Sequence, residues 1–141
     1  MKKTVIIIFI LGFSLSINAQ TIFGKWENPD NETGEVNSIV EVYEKEGKAY
    51  AKIIEITEAI RRDDLCTKCE GANKNQPILG MNILSGLTKD GNKWTNGKII
   101  DPKRGGVFDC TMELKETNKL KIRGYLGIPL LGKTVYWNRK L

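Results

Sequence analysis

Between Trp94 and Glu116 the chain reads WTNGKIIDPKRGGVFDCTMELKE, and this stretch sets the tightest limit on what the whole can fold into. Phe108, Cys110, Met112 and Leu114 alternate with Val107, Asp109, Thr111, Glu113 and Lys115. A period of two gives an extended strand one apolar face and one mostly polar face, whereas a helix would scatter the same residues around its circumference. Asp101-Pro102-Lys103-Arg104-Gly105-Gly106 separates this strand from Trp94–Ile100. Pro presets one φ angle there and Gly accepts the positive φ that a reversal requires, so the stretch predicts a hairpin. One dry face and one wet face describe an antiparallel sheet closed over a core.

The remaining chain repeats that grammar. Ile22 to Glu27 is a short strand candidate anchored by Phe23 and Trp26, and the Asn28–Gly34 segment reads as a turn. Val36–Glu44 and Lys48–Thr57 are rich in β-branched residues and flank Glu46-Gly47, the pattern of a second hairpin. From Glu58 to Pro77 the alternation stops; Glu58–Leu65 suits a helical turn and CTKCEGANKNQP a polar loop. Ile78–Leu87 resumes apolar character, Asp90-Gly91 marks a hairpin, and Thr117-Asn118 reverses the chain into Lys119–Tyr125. The apolar loop Gly127–Gly132 leads to a last strand, Thr134–Lys140. About eight strands joined mostly by short turns predict an all-β, antiparallel up-and-down barrel, with a long loop or short helix between the third and fourth strands. A two-sheet sandwich is the rival architecture.

The first residues read differently. Lys2 and Lys3, the apolar run Val5–Leu15 and the small-residue site Ile17-Asn18-Ala19 predict a secretory signal peptide over residues 1–19, cleaved after Ala19. The apolar run is short for a membrane span, which needs about 20 residues. Residues 20–141 are then one domain in the periplasm or outside the cell. Without Lys2 and Lys3 the charge falls from 22 basic and 17 acidic residues to 20 and 17, a net +3. Basic and acidic residues intermingle, which fits a solvated barrel exterior and gives no footprint for nucleic acid.

There is no histidine, which excludes Ser-His-Asp and Cys-His nucleophilic machinery and removes the commonest zinc ligand. Asp63, Asp64, Asp101 and Asp109 are the acids within reach of a cavity mouth, but no spacing sets two of them at a catalytic separation. Asp101 fits a turn carboxylate better than an acid–base role. No catalytic residue, cofactor or metal is expected. Cys66-Thr67-Lys68-Cys69 reads first as a structural disulfide of an exported protein, ahead of a redox pair or a zinc site. With Cys110 there are three pairings; proximity favours Cys66 with Cys69 and leaves Cys110 as a buried thiol. Gly24-Lys25-Trp26 and Trp137-Asn138-Arg139 suggest that the two chain ends close the barrel, with an arginine stacked on an indole for about 1 kcal/mol.

Gly24-x-Trp26, GMNILSGL from Gly80 to Leu87, Trp94-x-x-Gly97-x-Ile99-Ile100-Asp101-Pro102, Arg123-Gly124 and Trp137-x-Arg139 resemble an exported bacterial family of domains of unknown function, DUF2147. The resemblance runs from about Gly24 to Arg139, and the family is similar to the lipocalin-like, or calycin, barrels. It implies Trp26 stacked by Arg139 or Arg123 at the closed end, and a barrel able to hold a small apolar molecule. The expected function is a non-enzymatic barrel binding a small hydrophobic or amphipathic ligand, which passes the Glu58–Pro77 loop. Val40, Val42, Phe108, Cys110, Met112, Leu114, Leu120 and Ile122 are its inward candidates. The same residues would equally make a filled core with no cavity. The alternatives are an envelope-protein partner seated on the Gly127–Gly132 loop and a thiol-redox role for Cys66 and Cys69.

Overall fold

A computed structural model describes residues 21–141. The signal peptide and cleavage site expected from the sequence therefore lie outside the described residues. Eight strands follow one another: β1 (Gly24–Pro29), β2 (Val36–Lys45), β3 (Lys48–Ile56), β4 (Asn82–Asp90), β5 (Lys93–Ile100), β6 (Val107–Glu116), β7 (Lys119–Tyr125) and β8 (Gly132–Arg139). Each pairs antiparallel with the next, and β8 pairs with β1 through Trp26↔Arg139 and Glu27↔Asn138. The sheet is a closed barrel, not a sandwich. Closure leaves no strand edge free to pair with another chain.

The up-and-down course sends alternate connections to opposite ends, and the two ends are built differently. At one end β2–β3, β4–β5 and β6–β7 are joined by two-residue turns. Glu46 and Gly47 both take the left-handed conformation, φ 53° and 78°, whose twist suits the flanking strands. At the other end the connections are residues 30–35, 57–81, 101–106 and 126–131. Segment 57–81 contains only single 3₁₀ turns at Ala59–Arg61 and Gly71–Asn73 and a bridge between Leu65 and Pro77.

Several strand ends shift by one or two residues from the sequence reading, the last strand for instance running Gly132–Arg139 and not Thr134–Lys140, and two differences bear on the interior. β1 continues through Asn28 to Pro29, because Asn28 and Pro29 still pair with Ser38 and Val36 of β2. β4 starts at Asn82, not Ile78, because Ile78 and Gly80 turn their amides to the Asp64 and Ile53 carbonyls. Ile78 and Ile100 instead pack against Cys66, Cys69 and Met81 in a small cluster beneath the long loop.

Inside the short-turn end the barrel is solid. Trp26, Val42, Ala49, Leu87, Met112 and Leu120 are fully buried in one core cluster. A Cβ added at Gly97 would overlap the Leu87 side chain and lie 3.1 Å from the Cys110 sulfur. Glycine at that inward position lets the walls approach until they touch.

Candidate functional site

Arg139 seals the solid end. Its guanidinium lies 4.2 Å from the Trp26 ring centroid. Nε donates to the Thr117 carbonyl at 2.9 Å, Nη1 to Phe23 at 3.1 Å and Nη2 to Thr21 at 2.8 Å. One planar cation thus ties the entering chain and the β6–β7 turn to the end of β8, a task suited to Arg's fixed fork of donors. Trp26 Nε1 donates to the Ile22 carbonyl at 2.8 Å. Arg123, the other candidate for the indole, lies elsewhere: Nε donates to the Pro129 carbonyl and Nη1 to Thr134 Oγ1, each at 2.8 Å. It holds the 126–131 connection against β8.

Cys66 and Cys69 form a disulfide, and Cys110 is free and buried. Burial, reinforced by the neighbouring Asp109 carboxylate, pushes the Cys110 thiol up to about 12. The protonated thiol is a poor nucleophile. Asp109 points away from the core and pairs with Lys98, whose ammonium is held above its usual range first by that hydrogen bond and then by the carboxylate charge.

Toward the long-loop end the barrel is hollow. A cavity of about 920 Å³ runs from the middle of the barrel to the connections. This is within the range of small-molecule sites. Ile53, Ile83, Ile99, Phe108, Ile122 and Val135 supply apolar wall, and Gly124 leaves wall space that a side chain would fill. Ile122, Ile53 and Trp137 belong both to the packed core and to the cavity lining, so they mark where filling stops.

Of the eight inward candidates from the sequence, only Phe108 and Ile122 line this cavity. Val40, Val42, Cys110, Met112 and Leu120 are buried in the core below it, and Leu114 packs against that core. All eight are inward, but parity along a strand does not give height in the barrel. Trp137, expected at the closure, is likewise an internal residue; its indole N–H donates to Asn28 Oδ1 at 3.0 Å. Asn28 Nδ2 in turn donates to Ser38 Oγ at 3.1 Å, and Ser38 Oγ donates to Asn37 Oδ1 at 3.1 Å. All four residues line the cavity. Sequence reasoning passed over this chain, although Asn28 shares the parity of Trp26, and Ser38 that of Val40 and Val42. Those inward rows carried the signal.

The mouth is bridged. In a closed barrel with this strand order, connections 30–35 and 101–106 face each other across the opening. They are built alike. In each, an aspartate (Asp30 or Asp101) receives two backbone amides on Oδ1, and the glycine four residues on (Gly34 or Gly105) donates to its carbonyl. Those amide bonds and the charge of Lys103 hold the Asp30 carboxyl below its ordinary 3.8. The charges beyond them are opposite: Lys103 meets Asp30 at 3.8 Å and Arg104 meets Glu32 at 3.5 Å. The disulfide loop braces this clasp from one side. Cys66 Sγ lies 3.5 Å from the Pro102 carbonyl oxygen, and a Cβ at Gly105 would overlap the Lys68 carbonyl. On the other side Leu126 and Leu131 line the cavity yet are largely exposed.

A single eight-stranded meander, sealed by an arginine on a tryptophan at one end and hollow at the other, is a lipocalin-like barrel. The chain is similar to protein HP1028 from the human pathogen Helicobacter pylori, described as belonging to the lipocalin family. The two share 20% sequence identity and a TM-score of 0.75, over 86% of this chain and 84% of that one. At that identity the likeness is one of fold. Residues 24–139 match the family model described as an uncharacterized protein conserved in bacteria, DUF2147, and the chain belongs to that family. A search of the curated proteins gave no match.

Proposed function

We propose that the protein is an exported, non-enzymatic carrier or sensor that takes one small amphipathic molecule into the open half of its barrel. The observation behind this reading is the division of the interior: the same sheet is packed solid around Trp26 and hollow beside Phe108 and Gly124. Removing an apolar body from water along these isoleucine-rich walls contributes roughly 25 cal/mol per Å² buried. The clasp between 30–35 and 101–106 leaves access on its flanks, past 57–81 or past 126–131. Export rests on the leader sequence and on the disulfide, which suits an oxidising compartment.

The test is uptake of a neutral apolar dye such as Nile red by the mature chain, with Gly124→Leu as the comparison. Its Cβ would meet Ile99 Cγ2 at 3.4 Å and the Asp109 carbonyl oxygen and Phe108 Cβ at 3.9 Å, all ordinary van der Waals contacts, so the fold should accept the change while the cavity is partly filled. Blue-shifted emission in the wild type and at least fivefold weaker uptake in the variant are expected. No uptake by the folded wild type would refute the carrier reading. Export is checked by cell fractionation and the N-terminal sequence of the mature protein.

A second reading, a protein partner in the cell envelope, draws on the exposure of Ile128, Leu130 and Leu131 in the 126–131 connection. Capture experiments with these three changed to serine test it; an unchanged set of partners would end it.

A further inference from the structure

Resting on the carrier reading, we infer that Asn28 and Ser38 recognise an uncharged hydrogen-bonding group on the ligand, such as a hydroxyl or a carboxamide, held deep in the cavity against Trp137. Three observations carry this.

The first is placement. Asn28 and Ser38 are paired neighbours on β1 and β2, two positions nearer the open end than the Trp26↔Val40 pair of the solid core. Ser38 is 5% exposed, the single buried polar side chain among the described residues, in an inward row otherwise occupied by Val40 and Val42. Trp137 beside them is 1% exposed. Polar side chains in such a place cost desolvation unless hydrogen-bonded, and here they bond to one another.

The second is spare capacity. No buried side-chain nitrogen or oxygen among the described residues lacks a partner, so the network is complete without a ligand. It is not saturated, however. Asn28 has a second amide N–H and a second lone pair on Oδ1, and Ser38 Oγ has one further lone pair. Together they can donate one bond and accept up to two, which covers what a hydroxyl or primary amide offers in return.

The third is charge. Every charged residue lining the cavity lies on one of the four mouth connections, except Lys133 in the second position of β8. An ionised carboxylate at the Asn28–Ser38 level would be buried without a counter-ion, which is strongly unfavourable. A neutral group would not be. The site therefore selects by hydrogen bonding at the deep end and excludes charge from it, so that any charged part of the ligand stays at the mouth.

The experiment is displacement of Nile red by four ligands sharing a ten-carbon chain: decan-1-ol, decanamide, 1-chlorodecane and, at pH 8, decanoate. Wild type, Ser38→Ala and Asn28→Leu are compared. One or two neutral hydrogen bonds predict that the alcohol and amide bind about tenfold more tightly than the chloride. That advantage should shrink to about twofold in either variant while chlorodecane binding holds. Asn28→Leu strands the Trp137 indole N–H; Ser38→Ala leaves the Trp137–Asn28 bond in place and serves if the first variant folds poorly. In wild type, the Trp137 indole resonance (assigned with Trp137→Phe) should shift with decanamide and stay nearly still with chlorodecane. Dye uptake with a flat ligand series, or decanoate binding tightest with no dependence on Asn28 or Ser38, overturns this inference and leaves the carrier reading intact. Absence of dye uptake would bring down both.

Discussion

Replacing Arg139 tests how the barrel is held shut, and the structure supplies the magnitude. The guanidinium makes three hydrogen bonds of 2.8–3.1 Å to backbone carbonyls and lies over Trp26. A hydrogen bond to a charged group contributes about 1.5–3 kcal/mol, and a partly exposed cation–π contact about 1 kcal/mol. Three bonds at the low value together with the cation–π contact come to roughly 5–6 kcal/mol, the loss expected if nothing replaced them. Thr21 is exposed and Phe23 half-buried, so water can replace part of what is lost. Arg139→Ala should then cost about 3 kcal/mol, and Arg139→Lys, which keeps the charge but not the fork, about 2 kcal/mol. In urea, with a slope near 1.5 kcal/mol per M for a domain of this size, the alanine midpoint should fall by about 2 M at constant slope. Tryptophan emission reports the transition, since Trp26 leaves a buried site on unfolding. A loss below about 1 kcal/mol for the alanine, or a lysine variant equal to wild type, would refute the idea that this cation closes the barrel.

Three further outcomes follow from the same geometry. Gly34 and Gly105 hold the same position in look-alike turns, at φ 74° and 79°, but a Cβ meets nothing at Gly34 and meets the Lys68 carbonyl at Gly105. Gly105→Ala should therefore destabilise by about 1–3 kcal/mol more than Gly34→Ala in urea unfolding, the difference isolating the contact with the disulfide loop. Cys110, with its thiol moved from 9.0 to about 12 by burial, keeps its proton when the unfolded chain has lost it. Between those values the unfolded state binds fewer protons, so stability falls as pH rises. Wild type should lose about 1.4 kcal/mol per pH unit more than Cys110→Ala above pH 9, measured by denaturant titration. The clasp is exposed and therefore screened by salt. Dye release should quicken in 1 M salt, and quicken in Arg104→Glu at low salt. Because the folded Asp30 carboxyl is held below its ordinary 3.8, the Lys103 contact should survive past that pH and be lost only as acid carries it lower, read as a further quickening of dye release.

Much of the architecture could be read from local signals. The Val107–Glu116 strand and the Lys119–Tyr125 strand have the bounds that alternation and turn residues predict, because both are fixed within a few residues of chain. The Cys66–Cys69 pairing was nameable from proximity, although nothing local told that the bonded loop would brace the Asp101–Gly106 turn. The site was less legible. Asn28 stood next to Pro29 and Asp30, so it read as the first residue of a turn; only the partner strand, through Ser38, holds it in β1. Ser38 sits in a strand whose β-branched residues give its hydroxyl no local prominence. Its bond to Asn28 depends on a register set across two strands, and the indole that completes the chain comes from β8.

Which residues face inward is legible in each segment alone, since a strand's two-residue period needs no partner. Where the chain turns is legible in the same way, through Gly, Pro, Asn and Asp whose backbone preferences act locally. Height along the barrel axis, by contrast, exists only once the strands are assembled. Val40 and Phe108 are both inward, yet one is sealed in the core and the other faces the hollow. Height follows from strand stagger, bulges and closure, which are relations between distant segments. Whether an inward row becomes packing or cavity wall is therefore settled by the assembled barrel and by no strand within it.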